Sequence, residues 1–137
     1  MADLEARVRA EIDRLHVFFQ EWFLGKLEDD AFSSFANAMD ESFVIISPRG
    51  VATPMPALGD DLRKAKGAWP GGRIWIENGK VLRNEGGIII ATYEEWQQTT
   101  GDSKGRLSTC LLREEAGAPG GFRWLHVHET WLPEAPK

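Results

Sequence analysis

Three stretches in the C-terminal half of the chain alternate polar and apolar residues, and they constrain the fold more than any other feature. They cover residues 92–100, 106–115 and 122–132. A period of two is typical of strands with one buried face, because successive side chains point to opposite faces. Glycine-containing segments at 101–105 and 116–121 separate the stretches. The sequence therefore predicts a meander of three antiparallel strands.

The N-terminal part of the chain has a different periodicity. Apolar residues recur at steps of three or four over residues 4–27, which is typical of a long amphipathic helix. Gly25 is expected to weaken or end this helix. We further predict a short second helix with a buried stripe from Phe32 to Met39, a strand at 43–47 and a third helix near 57–66.

The dipeptide Asn78-Gly79 follows a strand that begins near Arg73. It is a strong hairpin signal, and it equally fits a β-bulge inside one long bent strand, since glycine tolerates positive φ. The residues leave both alternatives open. Helices followed by an antiparallel sheet predict an α+β fold, in which the N-terminal helices pack on a strongly curved antiparallel sheet. An internal pocket remains if the helices do not fill the concave side of the sheet.

Composition is ordinary for a globular protein of one domain, which we place at residues 1–137 with a polar tail from about 133. The formal charge of −5 argues against a nucleic acid partner, which requires a basic surface. The single cysteine, Cys110, excludes an internal disulfide and suits a reducing compartment. We see no signal-peptide pattern and no apolar stretch long enough to span a membrane. We therefore expect a cytoplasmic protein without a membrane partner.

The order of elements, together with two short motifs, resembles a known superfamily. The motifs are Phe-Val-Ile-Ile-Ser-Pro-x-Gly at 43–50 and Trp-Leu-His-Val-His at 124–128. Over roughly residues 4–132 the chain resembles the nuclear-transport-factor-2-like superfamily (SnoaL-like, cystatin-like cone). Within it, the chain looks like uncharacterised bacterial proteins related to the association domain of calcium/calmodulin-dependent kinase II. The resemblance implies a fold shaped as a cone, with an internal pocket between the first helix and the sheet. It also implies homodimers through sheet surfaces, and a bulge rather than a hairpin at Asn78-Gly79.

The final strand carries two histidines in the pattern His-x-His. In a regular strand Trp124, His126 and His128 share one face, opposite Leu125 and Val127. Polarity alone favours an outer face for the histidines. The pairing of the last two strands in the association domain implies the inward orientation, which we take as the prediction.

The adjacent acids Glu94 and Glu95 must lie on opposite faces, whatever the register. The resemblance implies that Glu94 is the inward one. In a partly apolar pocket its pKa would rise, which suits a general acid or base. The alternatives are a structural ion pair with Arg113 or His128 and a solvated outer position.

Three hypotheses about function result. In the first, a homodimer binds a small, partly apolar molecule through Trp22, Trp96, Thr109, Arg113, Trp124 and His126. In the second, Glu94 and His128 are the catalytic residues of an acid–base enzyme of the isomerase, cyclase or dehydratase type. In the third, the chain is an oligomerisation module without chemistry, with a closed or filled pocket. We expect no cofactor and no metal, because Glu94 is the only evident third ligand for the His-x-His pair.

Overall fold

The computed structural model describes residues 2–133. The end of the predicted tail, 134–137, lies outside the described residues. Three helices are α1 (Ala2–Phe23), α2 (Ser33–Ala36), which follows a 3₁₀ turn at Asp29–Phe32, and α3 (Ala57–Lys64). The strands are β1 (Met39–Ile46), β2 (Ala52–Pro54), β3 (Arg73–Glu85), β4 (Ile88–Gln98), β5 (Ser103–Glu114) and β6 (Phe122–Trp131).

The six strands form one sheet in the order β2-β1-β6-β5-β4-β3. The predicted α+β class is confirmed, and β3 to β6 form the expected antiparallel meander. The sheet as a whole is mixed rather than antiparallel, because β1 runs parallel to β6. After β2 the chain crosses to the far edge of the sheet and meanders back, so β6 arrives beside β1 in the same direction.

Helix α1 covers one face of the sheet, which we call the inner face; the opposite one is the outer face. The buried positions of α1 repeat every three or four residues, as the periodicity predicts. These positions include Leu4, Val8, Ile12, Leu15, Phe18 and Trp22. The helix ends at Phe23, and Gly25 follows with a φ of 76°, a left-handed conformation that glycine adopts without strain.

Polar side chains of α1 bond to the backbone of β3, which is an edge strand. Gln20 accepts a hydrogen bond from the amide of Ile74, and Arg9 donates one to the carbonyl of Gly79, both at 2.6 Å. Backbone groups on an edge strand otherwise lack partners in the sheet. These bonds therefore fix the helix against the sheet.

The dipeptide Asn78-Gly79 forms a bulge within the continuous strand β3. The two residues together oppose the single residue Tyr93 of β4, and Asn78 has a φ of 55°. The bulge implied by the family resemblance is therefore confirmed. An extra residue on one strand bends it locally, which helps the sheet to curve around α1.

Another bulge, which was not predicted from the sequence, interrupts β6. His126 pairs with Leu111 and Trp124 pairs with Leu112, so Leu125 is the extra residue. The alternation of side chains along β6 therefore changes phase at this position.

The region around α2 differs from the prediction. Helix α2 ends at Ala36, and Met39 begins strand β1 instead of completing a helical stripe. Helix α3 is confirmed and ends at Lys64. Among residues 2–133 no helix has the length and apolar content needed to cross a membrane. The cytoplasmic location stays a prediction.

Candidate functional site

A cavity of about 460 Å³ lies between the helices and the inner face of the sheet. Aromatic and aliphatic side chains make up most of its wall, which is typical of small-molecule sites. They include Leu15, Phe19, Phe43, Ile45, Leu58 and Trp69. The cavity shows that the helices and the sheet do not fill the space between them.

Five charged or amide side chains also line the cavity, and we call them the polar cluster. They are His16 from α1, Glu95 and Gln97 from β4, Arg106 from β5 and Glu129 from β6. Glu95 and Gln97 alternate with Trp96, so they project to one side of β4. Three neighbouring strands and the helix therefore converge on this part of the wall.

His16 and Glu95 form a buried ion pair. The Nε2 atom of His16 lies 3.0 Å from Oε1 of Glu95, and Nδ1 lies 2.8 Å from the carbonyl oxygen of Ile12. Both ring nitrogens face acceptors, so both must donate, which requires the imidazolium form.

The electrostatics of this pair agree with its geometry. Burial disfavours the charged form of His16, but the hydrogen bond to Glu95 and the charge of Glu95 raise the pKa of His16 overall. Burial alone would raise the pKa of Glu95, but the bond to His16 and the charge of His16 hold it at about 2. Gln97 donates a further hydrogen bond to the second oxygen of Glu95. Glu95 is therefore a fixed carboxylate at neutral pH.

Arg106 and Glu129 form the second ion pair of the cluster. Nη1 of Arg106 donates to Oε1 of Glu129 at 3.0 Å. Burial and then the charge of Glu95 raise the pKa of Glu129, and Arg106 offsets part of that shift. The buried Nε of Arg106 has no hydrogen-bond partner among residues 2–133. The centre of the guanidinium group lies 5.0 Å from the ring centroid of Trp131.

Trp124 is the one member of the predicted site that lines the cavity. Its side chain is fully buried, and its indole Nε1 donates to Oε2 of the buried Glu11 at 2.8 Å. Trp22 is also buried, but its indole bonds to the carbonyl of Leu62 at 2.7 Å, and it belongs to the core beside the cavity.

The predicted inward position of Glu94 is wrong, because β4 turns Glu95 to the inner face. Glu94 is partly exposed on the outer face, where it accepts hydrogen bonds from Trp96 Nε1 at 3.0 Å and from Asn78 Nδ2 at 2.9 Å. Trp96 likewise lies on the outer face, where its ring stacks on Trp75 at a centroid distance of 6.5 Å.

The predicted inward position of the two histidines is also wrong. The bulge at Leu125 puts Trp124 in phase with Val127, so His126 and His128 project from the outer face, and His128 is exposed. Thr109 pairs with His128 and shares its face.

Arg113 is the remaining member of the predicted site, and it too lies on the outer side of the sheet. It reaches Asp40 and Glu115, each at 3.4 Å. Within residues 2–133, no three histidine, cysteine or acidic side chains are grouped in a way that could hold a metal ion.

Comparison with known proteins places this geometry in a family. An NTF2-like protein of unknown function from Pseudomonas aeruginosa is 30% identical, with a TM-score of 0.83 over 92% of this chain and 98% of that one. A CaMKII hub from S. rosetta has a TM-score of 0.70 at 17% identity over 93% of this chain and 96% of that one. The resemblance to the nuclear-transport-factor-2-like superfamily is thus confirmed.

A family model also matches most of the chain. The model for the sucrose-6-phosphate phosphohydrolase C-terminal domain matches residues 8–133. The chain belongs to that family. Sucrose-phosphatase 1 from Nicotiana tabacum is 26% identical over 132 residues, which are 91% of this chain and 31% of that protein. The chain therefore spans about a third of the length of the curated relatives it matches.

None of the five residues of the polar cluster was predicted as a site residue; they are His16, Glu95, Gln97, Arg106 and Glu129. His16 lies on the buried stripe of α1, next to Leu15 in the sequence. The periodicity therefore indicates a core position and gives no sign of a site residue. Arg106 begins one predicted stretch and Glu129 lies near the end of another, and both faces of these stretches carry polar residues. The available signal was opposite charge on adjacent strands, since Arg106 pairs with Glu95 and lies diagonally opposite Glu129, but only the register reveals these positions.

Proposed function

We propose that this domain binds a small, largely apolar molecule in the cavity between α1 and the inner face of the sheet. The observation that supports the proposal is an unfilled cavity of about 460 Å³ whose mostly apolar wall carries one polar cluster. Apolar walls provide affinity, and a few convergent polar groups orient the ligand. A pure association module was expected to have a closed or filled pocket, so the open cavity favours binding.

Hydrolysis of a sugar phosphate is not what we propose for this cavity. The name of the family refers to a phosphohydrolase, and the chain corresponds to its C-terminal part. A phosphate dianion in the cavity would lie near the carboxylates of Glu95 and Glu129, and its hydroxyl-rich sugar would face mostly apolar side chains. The walls suit an apolar body better.

We also propose binding rather than acid–base catalysis. The predicted catalytic residues, Glu94 and His128, lie on the outer face, outside the cavity wall. Of the two acids in the cavity, Glu95 is held as a carboxylate by His16 and Gln97. Glu129 has a raised pKa, but its carboxylate is engaged in the ion pair with Arg106. A general base needs a pKa near the working pH, and that of Glu95 is far below it.

Binding is tested with N-phenylnaphthylamine, an uncharged dye whose fluorescence increases in apolar sites. We expect one dye per chain, and Ala65→Trp should abolish the signal because Ala65 lines the cavity. Ala10→Trp, at an exposed position of α1, is the matched control and should bind normally. Equal binding by both variants, or no binding by the unmodified chain in a wider screen of uncharged aromatic molecules, would contradict the proposal.

We further propose that the chain forms a homodimer through the outer face of the sheet. Leu107 is 40% exposed there, and Ile90 and Leu111, which pair with each other, are only partly buried. Incompletely buried apolar side chains that adjoin on a surface, as Ile90 and Leu111 do, are typical of interaction sites. Light scattering should report a dimer that Leu111→Glu converts to a monomer, whereas Leu82→Glu, at an exposed position of β3, should leave it intact. A monomeric unmodified chain would exclude the dimer.

A further inference from the structure

The polar cluster has a nearly balanced charge, and this restricts the ligands that the cavity can take. His16 pairs with Glu95 and Arg106 pairs with Glu129, in both cases at 3.0 Å. An anionic ligand would add a third negative group close to two carboxylates. A cationic one would meet a guanidinium and an imidazolium. Because a buried charge without a partner is strongly unfavourable, the cluster disfavours both.

One donor of the cluster is left without a partner. Arg106 uses Nη1 to reach Glu129, while its buried Nε has no acceptor among residues 2–133. A buried N–H group without an acceptor is costly, so it is normally satisfied. Arginine can only donate, so the missing partner must be an acceptor such as an oxygen atom. Because Arg106 lines the cavity, a ligand oxygen would satisfy the buried group once the side chain rotates to expose Nε to the cavity.

We propose that the cavity selects an uncharged ligand with a carbonyl or hydroxyl oxygen that accepts a hydrogen bond from Arg106. The inference rests on the proposed binding function and names the chemical class of the ligand. The rest of the ligand is apolar, since the wall beyond the cluster consists of side chains such as Phe19, Ile45 and Trp69. Aromatic or aliphatic ketones and alcohols belong to this class.

The test uses three naphthalenes that carry different groups at the same ring position: acetyl, ethyl and carboxylate. With the full chain at neutral pH, we expect acetylnaphthalene to bind roughly five- to tenfold more tightly than ethylnaphthalene, because it satisfies one buried donor. Naphthoate should bind roughly tenfold more weakly than acetylnaphthalene, because it adds an uncompensated charge. Isothermal titration calorimetry measures all three affinities.

A double variant links the preference to the polar cluster. Arg106→Met with Glu129→Gln removes both charges of one pair, so acetylnaphthalene and ethylnaphthalene should then bind about equally well. Retained binding of ethylnaphthalene shows that the variant is folded. The matched control removes an outer-face pair, Arg113→Met with Glu115→Gln, and should keep the acetyl preference.

The outcomes separate the two proposals. If ethylnaphthalene binds the unmodified chain but acetylnaphthalene binds no better, or if naphthoate binds as well as acetylnaphthalene, the selectivity is wrong and the binding function stands. Survival of the acetyl preference in the Arg106→Met and Glu129→Gln variant also overturns the role of Arg106. If none of the three binds, the binding function fails and the selectivity fails with it.

Discussion

The inner and outer faces of the sheet hold neighbouring acids in different ways. On the inner face Glu95 is buried and bonded to His16, whose two ring nitrogens both face acceptors. On the outer face Glu94 is partly exposed and accepts bonds from the neutral donors Trp96 and Asn78. A carboxylate tolerates burial when an opposite charge comes with it. The inner face can therefore carry charged groups, provided that α1 or an adjacent strand supplies a partner.

A second comparison involves the same chemical bond on the two faces. Trp124 donates its indole hydrogen to the buried Glu11 at 2.8 Å, and Trp96 donates to the partly exposed Glu94 at 3.0 Å. The distances are similar, but only the outer carboxylate can exchange its partner for water. The contribution of each hydrogen bond to the free energy of unfolding therefore depends on the face, and substitutions can measure it.

The largest difference in the loss of stability is expected between substitutions of the adjacent acids Glu95 and Glu94. Glu95→Leu leaves the His16 imidazolium buried without its counter-charge, so the free energy of unfolding should fall by about 3 kcal/mol. Glu94→Leu removes a partly exposed group and should change it by less than about 1 kcal/mol. Urea denaturation followed by circular dichroism measures both values. Equal losses would mean that the two faces have been assigned incorrectly.

Substitution of the inner Trp124 should also cost more stability than substitution of the outer Trp96, but the difference should be smaller than for the two acids. Trp124→Phe removes the donor to a buried carboxylate and should cost about 2 kcal/mol. Trp96→Phe should cost less than about 1 kcal/mol, since water replaces the indole at Glu94. The same denaturation experiment compares them. A larger loss for Trp96→Phe would show that the outer face is covered, as a tight dimer interface would be.

The pH dependence of stability tests whether Glu95 and His16 on the inner face are both ionised. The pKa of Glu95 is lowered from its ordinary 4.5 to about 2, so the stability that its carboxylate contributes is present above pH 4.5 and lost as pH falls toward 2. The pKa of His16 is raised from 6.5, so the stability from its cation is present below pH 6.5 and lost as pH rises through the raised value.

The difference in unfolding free energy between the unmodified chain and Glu95→Leu should therefore be largest between pH 4.5 and 6.5. It should shrink toward both acid and alkaline pH, and thermal unfolding across that range measures it. A difference that stays constant would show that the pair is not ionised as we describe.

The fold could be predicted well because it depends on periodicity. The three- and four-residue spacing of α1 and the alternation of the last strands do not require knowledge of which residues touch. The dipeptide Asn78-Gly79 is compatible with both a hairpin turn and a bulge, and the residues alone do not distinguish the two. The family resemblance distinguished them, because members of a family share the pairing of their strands.

The candidate site could not be predicted, because it depends on which face each strand turns inward. The sequence Leu-His-Val-His alternates as it would in a regular strand, although Leu125 is the extra residue of a bulge. The bulge places His126 and His128 on the opposite face from Trp124. A bulge is a property of two paired strands and leaves no mark in one of them. His16 was overlooked for a related reason: its partner, Glu95, is 79 positions away in the sequence.

The smallest change in stability is expected for a substitution of His128, which was predicted to line the pocket. His128→Ala should change the free energy of unfolding by less than about 0.5 kcal/mol, because the side chain is exposed on the outer face. Binding of N-phenylnaphthylamine should also stay unchanged. The adjacent substitution Val127→Ala is the control, since Val127 is 4% exposed and lines the cavity; it should cost about 2 kcal/mol. If His128→Ala instead abolished dye binding while Val127→Ala was neutral, β6 would be regular at Leu125, and the inner face would carry the histidines after all.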